Sequence, residues 1–128
     1  MLDATKLDEF TAAYIVAALW SSIDDDGEPL DYRFDQFDLA PETLEKMIED
    51  CRRFQAEFGH LFTEENCSYR GCPVAAYAGH DFWLNRNGHG CGFWDGDWEE
   101  PAASILDAAS RKAGQVDLYV GDDGRIYL

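Results

Sequence analysis

Five residues in the middle of this chain carry side chains that bind zinc: Cys67 and Cys72, then His80, His89 and Cys91. Thiolate and imidazole are the donors a tetrahedral zinc site takes. The Cys67-x4-Cys72 spacing is not that of paired zinc knuckles, so the expectation is no metal and no cofactor, with a structural zinc at Cys67 and Cys72 as the alternative. A second constellation could move protons. His80 is followed by Asp81, with Asp95 further on, and Arg86 stands near His89; a carboxylate that orients a histidine makes a general base. A hydrolase also needs a nucleophile within reach, and neither a nucleophile elbow nor a phosphate-cradling glycine loop is present. No catalytic residue is assigned on this basis, and His80, His89 and Asp95 stand as the alternative set for a small enzyme.

Most of these residues fall between Gly79 and Trp98, a stretch rich in aromatics and glycine with Asn87-Gly88 at its centre. Asn-Gly between apolar alternations is a strong β-hairpin signal, because a type I′ turn needs positive φ at both central residues. The expected register pairs Arg86 with His89, Leu84 with Cys91, Phe82 with Phe93 and His80 with Asp95. Alternation then puts Trp83 and Trp94 on the opposite face, with Trp83 across from Gly92.

The segment GHDFWLNRNGHGCGFWD, residues 79–95, resembles the signature of a widespread family of small acidic proteins encoded by tailed phages and prophages. In that family GHDFWL, RNGHG and GFWD recur in this order. A weaker likeness extends to AYIVAALWSSIDDDGEPLD (residues 13–31) and VDLYVGDDGRIY (residues 116–127), so it covers most of the chain. It labels a family and implies a small accessory phage function without specifying one.

The charge is as unusual as the motif. Twenty-six acidic residues face ten basic ones, a net charge of −16. Direct nucleic-acid binding needs Lys and Arg to neutralise phosphates, so it is disfavoured, and a protein partner with a basic surface is favoured. Simple solubility, or a salty cytoplasm, accounts for such acidity equally well on composition alone. Seven of the acids, Asp24, Asp25, Asp26, Glu28, Asp31, Asp35 and Asp38, crowd one Gly/Pro-containing loop. Tyr32, Phe34 and Phe37 lie among them and are expected to pin it to the core.

The elements that position these groups follow from periodicity. Leu7, Phe10, Tyr14, Ala17 and Ala18 mark a first helix over about 6–21, with Thr5 and Asp8 as a capping box. Pro41 opens a second, whose stripe of Leu44, Met47, Ile48, Cys51 and Phe54 runs to a stop at Gly59. After an irregular stretch with at most a turn of helix following Pro73, a third helix spans about 101–113 and ends at Gly114. A closing hairpin turns on Asp122-Asp123-Gly124, which aligns Tyr119 with Tyr127 and Val120 with Ile126.

These elements predict one α+β domain over residues 1–128, with about three helices on one face of a small antiparallel sheet of about four strands, that is, two hairpins. Trp83, Trp94, Tyr119 and Tyr127 would then share the open face as an aromatic patch. No apolar run is long enough to span a bilayer, and the opening MLDATKLDEF lacks the features of a signal peptide, so the expectation is a cytoplasmic protein with reduced cysteines, in the host cell if phage-encoded.

The functional expectation is an intracellular binding protein for the basic surface of a nucleic-acid-handling protein, including a DNA-mimicking inhibitor of a defence complex of the anti-CRISPR kind. The seven loop acids would make the contact, with Trp83 and Trp94 as an apolar alternative. A small enzyme or zinc-stabilised domain built on the His80, His89 and Asp95 hairpin is the competing reading.

Overall fold

The computed structural model describes residues 4–128. The leader-peptide reading rests in part on Met1, Leu2 and Asp3, which lie outside them. Four helices dominate: α1 (Glu9–Ser21), α2 (Pro41–Phe58), α3 (Val74–Arg86) and α4 (Ala102–Ala113), followed by strands β1 (Tyr119–Val120) and β2 (Ile126–Tyr127). No helix among the described residues is long and apolar enough to cross a membrane.

Three expected helices form close to their expected bounds, each for the local reason the sequence carries. Asp8 is the N-cap of α1, its Oδ1 accepting from Thr11 N at 2.7 Å, so the helix begins at Glu9, later than the expected residue 6. Pro41 is the first residue of α2, where its missing N–H costs nothing. Leu44, Met47, Cys51 and Phe54 of the α2 stripe are buried, and Ile48 packs at the edge. The closing hairpin has the expected register, Tyr119 opposite Tyr127 and Val120 opposite Ile126. It joins the helices through Ala40 N, which donates to Ile126 O at 2.9 Å.

The central hairpin does not form. Residues 80–86 belong to α3, and among the described residues the sheet has two strands rather than about four. Two physical reasons account for the difference. A helix buried on nearly every side shows no apolar stripe, and Ala78, Gly79 and every residue from Asp81 to Arg86 are buried, so the 3.6-residue period is invisible. Asn87-Gly88 then serves a different geometry with the same demand for positive φ. Gly88, at φ +67°, is the left-handed residue that ends α3; Gly88 N donates to Asn85 O at 3.3 Å and His89 N to Leu84 O at 3.1 Å. That pair of bonds is a Schellman cap. The pairings of Arg86 with His89, Leu84 with Cys91, Phe82 with Phe93 and His80 with Asp95 therefore do not exist.

The core sits where α1 crosses α3. Gly79 makes the crossing close: a Cβ there would stand 2.0 Å from Phe10 O. Beside it Phe54 stacks on Phe82 at 4.1 Å between centroids, and Phe93 meets Trp98 edge-on at 5.1 Å. Arg86 crosses this apolar region with its side chain 3% exposed. Its Nη1 donates to Asp50 Oδ2 (2.9 Å) and Tyr14 Oη (3.0 Å), its Nε to Gly114 O (2.8 Å) and its Nη2 to Ala113 O (3.0 Å). One guanidinium so ties α1, α2, α3 and the end of α4 together, which suits its planar fork of donors.

Candidate functional site

The loop between α1 and α2 is highly charged but not loosely held. Ser22 and Leu30 pair through Leu30 N to Ser22 O (2.9 Å), Asp24 N donates to Glu28 O (2.9 Å), and Leu30 is fully buried as the anchor. At the loop entrance, Trp83 Nε1 donates to Ser21 Oγ at 2.8 Å.

Three of the seven loop acids build the loop itself. Asp24 Oδ1 accepts from Asp26 N (2.9 Å) and Glu28 N (3.0 Å), while its Oδ2 meets Arg33 Nη2 at 2.5 Å. The hydrogen bond from Arg33, then those from the backbone, hold the Asp24 carboxyl below the usual aspartate range. Asp35 and Asp38 cap a short 3-10 turn reciprocally: Asp35 Oδ1 accepts from Phe37 N (2.9 Å) and Asp38 Oδ2 from Asp35 N (2.8 Å). Short acidic side chains favour such local bonds to backbone.

The other four acids are free for a partner. Asp25, Asp26, Glu28 and Asp31 are all exposed, and only Asp26 has a described cation within reach, Arg33 at 3.6 Å. Two aromatics stand beside them, Tyr32 at 70% and Phe37 at 57% exposure. Here the structure corrects the expectation that all three loop aromatics are pins: Leu30 and the half-buried Phe34 hold the loop, and Tyr32 and Phe37 face outward. A signal for the internal pairing was present, since Arg33 is the one cation among these acids.

The tryptophan alternative separates into two cases. Trp83 is 1% exposed, its ring edge-on to Tyr14 at 5.3 Å, so it belongs to the core and to no aromatic patch. Its expected place opposite Gly92 is taken by Asn85, whose Oδ1 accepts from Phe93 N and whose Nδ2 donates to Asp107. Trp94 is 49% exposed on the loop after α3, and Tyr119 stacks on Tyr127 at 5.8 Å on the closing hairpin.

His80, His89 and Asp95 are not brought together around a cavity. His80 lies within α3 between the rings of Trp20 and Tyr77, each 6.2 Å away, and its Nδ1 is 3.6 Å from Asp81 Oδ1, beyond hydrogen-bond length. His89 is exposed past the end of the same helix, and Asp95 Oδ2 accepts from Gly92 N at 3.2 Å to close its own turn. Cavities of about 440, 640 and 390 Å³ are lined by none of the three. Asp81 is the buried carboxylate of this region. Its Oδ2 accepts from Trp98 Nε1 at 2.8 Å, and burial pushes its carboxyl up, with the Asp95 charge adding to the shift.

Cys67 is buried and pairs through its backbone with Trp98, while Cys72 lies half-buried just before α3. Burial pushes both thiols up. Among the described residues no group of three or more His, Cys, Asp or Glu is placed to hold a metal ion.

Comparison of the chain with protein-family models, curated proteins and solved structures finds no match in any of the three.

Proposed function

We propose that the protein acts by binding, presenting the outward acids of the 22–38 loop to a basic surface on a partner protein. One observation carries the reading: Asp25, Asp26, Glu28 and Asp31 project from a loop whose backbone is already fixed by Asp24, Asp35, Asp38, Arg33 and Leu30. Charge held in place before contact loses little further freedom on binding, so preorganisation adds to affinity. Acidic surfaces are also steered toward Lys- and Arg-lined grooves, and the net charge of −16 extends that steering well beyond the loop.

Grooves of that kind hold phosphates in nucleic-acid-handling proteins, and a protein that fills one competes with nucleic acid for it. A host nucleic-acid-handling complex, including a defence complex, is the partner class this charge reading favours. Tyr32 and Phe37 supply apolar contact beside the charges, as aromatic residues do at interface centres.

The test is capture from bacterial lysate on the immobilised protein at rising salt, followed by the same capture with Asp25→Asn, Asp26→Asn, Glu28→Gln and Asp31→Asn combined. A specific partner released by salt and lost with the variant supports the proposal. A partner indifferent to both salt and the four substitutions, or none at low salt, defeats it.

A further inference from the structure

The helices α2, α3 and α4 border a half-open cavity of about 440 Å³ whose lining is richer in cations than the chain as a whole. Phe54, Phe58 and Phe82 give it an apolar wall, while Lys46, Arg53, Arg86 and Lys112 are among its lining residues. Those are four of the ten cations in a chain of net charge −16. Two carboxylates share the lining, Asp50 and Glu57. Asp50 is already taken, by Lys46 at 2.6 Å and Arg86 at 2.9 Å.

Two donors at this cavity have capacity left. Lys112 makes no ion pair with a described residue, although its neighbour Arg111 is bound to Asp107 at 2.9 Å. The hydrogen bonds of Arg86 use four of its five N–H groups and leave one on Nη2. Lys46 and Arg86 converge here on Asp50 and Arg53 pairs with Glu49 at 3.0 Å, so Lys112, which the end of α4 favours, is the cation of the four with no described carboxylate partner.

We propose that this cavity is a binding site for a small organic anion, a carboxylate or phosphate head on a compact aromatic or aliphatic body. The volume is in the range of small-molecule sites, and an apolar wall with a few charged groups is their usual composition. An anion is the head group that Lys112 and the remaining N–H of Arg86 select, and at physiological salt carboxylates more than about 8 Å away are largely screened from it. The site is independent of the acidic loop, and neither reading depends on the other.

The test uses 2-naphthoate as probe, followed by amide chemical shifts of the labelled full chain, with 2-naphthylmethanol and 2-naphthylmethylammonium as neutral and cationic controls. With about 13 non-hydrogen atoms, naphthoate should bind with a Kd of about 1 mM or tighter and shift amides near 53–58 and 109–113. The alcohol and the ammonium should bind about tenfold more weakly or worse, a ratio set by loss of charge-assisted hydrogen bonds. Arg53 and Lys112 are exposed, so Arg53→Ala with Lys112→Ala leaves the fold intact and should weaken naphthoate several-fold. Equal affinity for naphthoate and its alcohol would show an apolar cleft without anion recognition and overturn the proposal. So would the absence of saturable shifts in this region, or naphthoate affinity unchanged in the double variant.

Discussion

Residues 79–98 and residues 22–38 are the two unusual stretches of this chain, and they are unusual for opposite reasons. The first places Gly79, Asp81, Phe82, Trp83, Arg86, Phe93 and Trp98 inside the protein, where a close helix crossing, an aromatic cluster and a buried guanidinium need them. The second buries only Leu30, commits three carboxylates to its own backbone and leaves four facing water. A residue pattern dense enough to look like a site can therefore be the signature of a packing solution. The stretch that reads as a solvated charge run is the one with spare chemistry.

The contrast can be broken first at Arg86. Arg86→Ala leaves Asp50 with Lys46 alone, removes the donor to Tyr14 and frees the carbonyls of Ala113 and Gly114, and should cost about 3 kcal/mol, the lower end for removing one partner of a buried ion pair. Urea unfolding measures it, and a loss below about 1 kcal/mol would mean the guanidinium is not structural in this way. Gly79→Ala comes next. Its Cβ must displace backbone rather than a side chain, so about 1–3 kcal/mol is expected from the same measurement, and a neutral result would refute the close crossing.

Gly88→Val is smaller, about 1–2 kcal/mol or somewhat more, since a β-branched residue resists the left-handed conformation that closes α3. Melting within a degree or two of the parent would count against the cap. Backbone carbon shifts over 82–86 distinguish it from a hairpin turn, because the cap requires helical values there.

Asp81 gives an effect of defined sign. Its folded pKa is above the ordinary 3.8, so the folded state holds the extra proton; the stability this provides is complete below 3.8 and is lost as pH rises through the folded value. Asp81→Asn keeps an acceptor for Trp98 and removes the titration. Its stability relative to the parent should improve between pH 4 and pH 7, and thermal melts at the two pH values that show a constant or reversed difference would refute the buried charge.

The sequence made legible what is governed by local rules. Pro41 and Gly59 bracket α2 around a single stripe, and Gly124 fixes the register of the closing hairpin, because each depends on nearby residues alone. It hid α3, since a helix surrounded by protein has no polar face to reveal its period, and Asn-Gly fits a helix cap as well as a turn. The acidic loop was legible as surface. Which of its acids turn inward was not, because Asp24 and Asp38 differ from Asp25 and Asp31 only in the backbone conformation each adopts. The cavity was equally hidden: Lys46 and Arg53 share a face of α2, but Lys112 joins them only once α4 has packed.

The most direct measurement compares partner retention and unfolding free energy for the loop variant combining Asp25→Asn, Asp26→Asn, Glu28→Gln and Asp31→Asn against the parent. These side chains are exposed, so stability should stay within about 0.5 kcal/mol or rise slightly as self-repulsion falls, while retention of the salt-sensitive partner is lost. Full retention by a normally folded variant would contradict the assignment of binding to this loop.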